Sequence, residues 1–92
     1  MMNEPVIVVA VFGDGEIDPS AFFRKAPSES YAIAKVTGYR YEAPEIIFDV
    51  QGASFRARLV FNRLTLLWVL TELELIEAPT EAYLAAPRQG AL

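Results

Sequence analysis

The chain has 92 residues, 53% of them hydrophobic and 22% charged, with a formal net charge of −4 and neither histidine nor cysteine. That length closes one core, and the expectation is a single domain over residues 1–92. Without cysteine or histidine, disulfides, thiolate nucleophiles, His-based acid–base catalysis and the usual zinc ligands are excluded.

Met1–Pro5 is acidic and carries no basic segment leading into a signal core, and the apolar run that follows is too short to span a bilayer, so cytoplasm is expected. Val6–Phe12 (VIVVAVF) is rich in β-branched residues and reads as a strand, apolar on both faces and therefore central and covered twice. Gly13-Asp14-Gly15 ends it. Asp18-Pro19 then has the form of an N-cap followed by proline at the first helical position, predicting a short helix over Ser20–Lys25.

Three strands are expected between Ser30 and Phe61. Tyr31–Tyr41 is one, bent at Gly38, where a bulge costs little. Glu45–Val50 and Ala53–Phe61 form a hairpin about Gln51-Gly52. A two-residue turn there sets Val50 against Ala53, Phe48 against Phe55 and Ile46 against Ala57 on an apolar face. The other face would set Glu45 against Arg58 and Asp49 diagonally beside Arg56. Asn62 can cap a helix from Arg63 to about Ile76, apolar over most of its circumference. A competing reading makes the alternating segment 72–77 (ELELIE) an edge strand. Thr80 is expected to start a last helical turn, and residues 87–92 to fray. The resulting order, β-α-β-β-β-α, predicts an α+β domain with a mostly antiparallel four-stranded sheet and helices on one face.

The motifs that suggest chemistry are incomplete. Asp14, Glu16 and Asp18 alternate like the first ligands of a calcium loop, but Pro19 and Lys25 occupy the positions needing glycine and glutamate. Gly13-x-Gly15 lacks the third glycine of a dinucleotide turn, having Asp18 there. Serine-based motifs are missing, and the glutamates at 72, 74 and 77 read as solvated charges. No catalytic residue, metal or cofactor is assigned.

Two binding surfaces remain. Leu66, Trp68, Val69, Leu70 and Leu73 on the Leu-rich segment suggest a protein interface, most simply with a second copy, since a small domain cannot hide so much apolar surface. The expected function is therefore a non-catalytic protein-binding module: an adaptor, regulator or inhibitor of a larger complex, self-associating as a homodimer. Lys35, Tyr39, Arg40, Tyr41, Arg56 and Arg58, with Tyr31, suggest the alternative, a sheet face for single-stranded nucleic acid. Cross-strand carboxylates and the net charge oppose it. The charge is uneven: residues 1–23 carry −4, residues 24–63 carry +3 and residues 64–92 carry −3. The acidic ends permit a further alternative, imitation of nucleic acid by an inhibitor of phage type.

Overall fold

The computed structural model describes residues 2–25 and 28–76, and the expected helical turn at Thr80 and the frayed end at 87–92 lie outside that range. The described residues form seven strands and no helix: β1 (Glu4–Gly13), β2 (Glu16–Lys25), β3 (Ser28–Ala32), β4 (Lys35–Glu42), β5 (Glu45–Gln51), β6 (Phe55–Asn62) and β7 (Leu67–Leu75). Every pairing is antiparallel, in the order β3-β2-β1-β7-β6-β5-β4. The fold is all-β, which overturns the α+β expectation, its four-stranded sheet and both helices.

The sheet curls into a half-barrel. Its two ends, β3 and β4, are successive in the chain. Between them the Ile33 amide donates to Ser20 O of β2 at 2.9 Å, and the Ala34 amide donates to Gln51 O of β5 at 2.8 Å. The expected strand Tyr31–Tyr41 is therefore divided, its first part serving one end of the sheet and its second part the other. The concave face holds Val6, Phe22, Phe48, Val50, Leu59, Phe61 and Leu70. Around them lie ring pairs, among them Phe22–Tyr31, stacked at 4.7 Å, and Phe61–Trp68 at 4.7 Å.

The expected helix at 20–25 is the second half of β2. Asp14 and Gly15 have φ of 50° and 78°, the two positive values that a two-residue hairpin turn requires, and they fold β2 back on β1. Pro19 is tolerated because it adjoins a bulge, where Val9 pairs with Ala21 but Ala10 pairs with Pro19, leaving Ser20 extra. The expected double covering of β1 also fails. Ile7, Val9 and Val11 on its convex face are 55%, 49% and 65% exposed.

The expected helix at 63–76 is a single capped turn followed by β7. Asn62 does cap: its Oδ1 accepts from the Leu64 and Thr65 amides at 2.9 and 3.0 Å, and the Leu66 amide donates to Asn62 O at 2.8 Å. Leu66 then takes φ 62°, which ends the turn. Segment 72–75 is part of a strand, as the competing reading had it. That strand is interior to the sheet order and begins at Leu67.

The β5–β6 hairpin forms with a different register. Val50 pairs with Ala57, Phe48 with Leu59 and Ile46 with Phe61, four positions from expectation. An even offset leaves each side chain on its expected face. The turn is longer because the Gly52 amide donates to Phe55 O at 3.0 Å, and the Phe55 ring packs directly over Gly52. The charge pairs move accordingly. Asp49, not Glu45, stands opposite Arg58, and Glu45 faces Asn62.

Candidate functional site

The feature that sets this sheet apart is an overhang between β1 and β7. They pair only through Glu4–Leu70, Pro5–Val69 and Val6–Trp68. In that register Leu67 stands opposite Ile7, and the chain then leaves the sheet through the 63–66 turn. Beyond Ile7, β1 is paired on one side by β2, and among the described residues no strand pairs with its other side.

The groups offered on that side follow from strand geometry. The Ser20 hydroxyl donates to Val9 O at 3.1 Å, so the Val9 peptide group points to β2. Neighbouring residues of a strand point their peptide groups to alternate sides. Val8, Ala10 and Phe12 therefore present N–H and C=O to the open side. Their side chains lie toward the concave face, while those of Ile7, Val9 and Val11 lie on the convex one.

Sheet edges are ordinarily guarded by charge, shortness or bulges. β3 has only five residues, Glu29 among them, and β4 carries Lys35, Arg40, Glu42 and a bulge between Val36 and Gly38. From Val6 to Gly13, β1 carries no charge at all. The overhang is anchored where β1 meets β7. Arg24 donates from Nε and Nη2 to both Glu4 carboxylate oxygens at 3.0 and 2.8 Å. These hydrogen bonds hold the Glu4 carboxyl below its ordinary value and raise that of the Arg24 guanidinium. Tyr31, donating to Glu29 at 2.5 Å, has its phenol shifted upward chiefly by that bond.

The five residues expected at a protein interface are separated by the strand. Leu70 is fully buried, Trp68 and Leu73 pack on the core, Val69 is half-buried on the convex face, and Leu66 is exposed in the turn beside the β1 gap. The six residues expected on a nucleic-acid face fall on two faces. Tyr39 and Tyr41 pair with the core residues Phe48 and Ile46, whereas Lys35, Arg40, Arg56 and Arg58 lie on the convex side. The arginines there meet carboxylates. Arg58 contacts Asp49 at 2.8 Å and Glu72 at 3.2 Å, Arg56 contacts Glu74 at 3.1 Å, and Arg40 contacts Glu42 at 2.6 Å. The Asp49 hydrogen bonds raise the Arg58 guanidinium further.

A cleft of about 430 Å³ beside these pairs is lined by Thr37, Asp49, Arg56 and Glu72 among others. Its carboxylates Asp49 and Glu72 are both engaged by Arg58. Among the described residues no group of three or more acids is arranged to hold a metal, the Asp14, Glu16 and Asp18 series included. No helix of the described residues is long and apolar enough to cross a membrane.

Sequence reasoning passed over the β1 edge because it took Val6–Phe12 as buried on both faces. The Asp14-Gly15 pair was the available signal, since such a dipeptide after an apolar run marks a hairpin. Neither a known protein family, nor a curated protein, nor a solved structure matches the chain.

Proposed function

We propose that this chain is a non-catalytic protein-binding module, acting as an adaptor, regulator or inhibitor of a larger assembly, and that it takes its partner by strand addition along β1. The observation that supports this reading is the uncharged stretch Val8–Gly13 with one side unpaired among the described residues. Strand addition gains affinity from main-chain hydrogen bonds and specificity from alternate side chains. Ile7, Val9 and Val11 supply those side chains. The missing histidine and cysteine, and the engagement of Asp49 and Glu72 by one arginine, favour binding over catalysis. A fold that needs no disulfide suits the cytoplasm.

The test is capture on tagged protein before and after nuclease treatment, comparing the natural chain with Ala10→Pro. Proline at residue 10 deletes an open-side donor and leaves the bonds to β2 in place. A nuclease-resistant protein band lost with Ala10→Pro is the expected result. Undiminished capture by a folded Ala10→Pro variant, or recovery of nucleic acid alone, would overturn the proposal.

A further inference from the structure

We infer that the strand added to β1 is the β1 of a second copy of this chain, antiparallel and related by a two-fold axis through Ala10. This rests on the strand-addition reading and specifies its partner. The open groups of β1 belong to Val8, Ala10 and Phe12, a set symmetric about Ala10. Pairing Ala10 with Ala10, and Val8 with Phe12 in both directions, uses every open N–H and C=O of the set. No other two-fold register does so, because a shift of two residues brings the Asp14 turn opposite Val8. The pairing also stops where it must, since Val6 is already paired with Trp68 of β7.

The side chains agree with the backbone. The smallest residue of the run, Ala10, falls on the axis, where the two copies exchange their central pair of hydrogen bonds. Val9 of one copy then lies beside Val11 of the other on the convex face. The run is uncharged from Pro5 to Gly13, so two acidic molecules meet without opposing like charges along the seam. The nearest carboxylate at the core end of the strand, Glu4, is already bound by Arg24.

Apolar surface also flanks the seam. Ile7, Val9, Val11, Phe12, Leu66 and Leu67 are each about half exposed or more. Large apolar residues exposed side by side along one strand and the adjoining turn are the kind of patch that marks an interaction surface.

The chain has no cysteine of its own, which makes the register directly testable. Val9 and Val11 of opposite copies form a non-hydrogen-bonded pair with Cα atoms about 4.5 Å apart, inside the range a disulfide spans. Val9→Cys and Val11→Cys chains, mixed and gently oxidised, are expected to cross-link to each other at least tenfold faster than either does to itself. Sedimentation equilibrium is expected to give twice the chain mass, and Ala10→Pro or Val11→Lys the single mass with unchanged circular dichroism. Preferential linking of Val9→Cys to itself, or a monomer at the highest soluble concentration, overturns the inference. If the monomer still captures a different protein in an Ala10→Pro-sensitive way, self-pairing is rejected and strand addition stands. If its capture ignores Ala10→Pro, both are rejected.

Discussion

The Ser20 hydroxyl donates to the Val9 carbonyl at 3.1 Å, at the point where the β1–β2 register shifts by one residue. The same device recurs twice. Thr37 donates to Asp49 O at 3.2 Å at the β4–β5 shift, and Thr71 to Arg58 O at 3.4 Å at the β6–β7 shift. In each pair the residue left over by the bulge carries a hydroxyl that occupies a carbonyl on the facing strand. Thr71 is the partly buried case. Thr71→Val is expected to lower stability by about 1 kcal/mol, the usual net value of one such bond, and the exposed Ser20→Ala by less. Urea unfolding of the two variants measures this, and a Thr71→Val loss no larger than that of Ser20→Ala would contradict the ranking.

These bulges also explain what could be read from the sequence. Each extra residue reverses which face the following side chains take. In β2 the inward residues run Ile17 and Pro19, then Phe22 and Arg24; in β7 they run Trp68 and Leu70, then Leu73 and Leu75. A two-residue period interrupted in this way resembles a helical spacing, and both segments were expected to be helices. β5 and β6 contain no extra residue, and their hairpin and apolar face were legible. The bend at Gly38 was legible too, because glycine marks a bulge directly. Register was not legible at Gln51-Gly52, since it depends on Phe55 closing over Gly52. The open edge of β1 was hidden because it depends on where β7 begins.

Gly52 is fixed by that closure. A methyl group there would lie 2.0 Å from Phe55 Cε1 and 2.7 Å from Ala32 O. The Phe55 ring is held in turn by Phe22 and Tyr31, with centroids at 5.7 and 5.2 Å. Gly52→Ala should therefore cost about 1–3 kcal/mol, the range for overpacking a filled core. Chemical denaturation checks it, and a loss below about 0.5 kcal/mol, the range of surface changes, would mean that the ring moves aside.

Trp68 and Leu66 are predicted to behave oppositely. Trp68 packs on Phe48 and Phe61, so Trp68→Ala is expected to cost about 3 kcal/mol. Leu66 is exposed at φ 62°, a conformation asparagine accepts more readily than leucine. Leu66→Asn is expected to be neutral or stabilising. Thermal unfolding of the pair decides, and a mild Trp68→Ala would contradict its place against the core.

The Glu4–Arg24 contact makes stability sensitive to acid. Glu4 titrates below its ordinary value of 4.5 in the fold, so its contribution is fully present above that value and is lost as pH falls through the lower one. The natural chain should exceed Glu4→Gln in stability near neutrality, and the gap should close as pH falls below the ordinary carboxylate range. A gap constant across that fall in pH would show that the pair contributes nothing through ionisation.

Residue-resolved amide exchange along β1 is the most direct test of the open edge. The Ile7, Val9 and Val11 amides, directed at β2, should be protected at every concentration. Val8, Ala10 and Phe12 should exchange freely in dilute protein and become protected as concentration rises. Equal protection of all six in dilute protein, or free exchange of all six, would contradict an unpaired β1 edge that is filled by association.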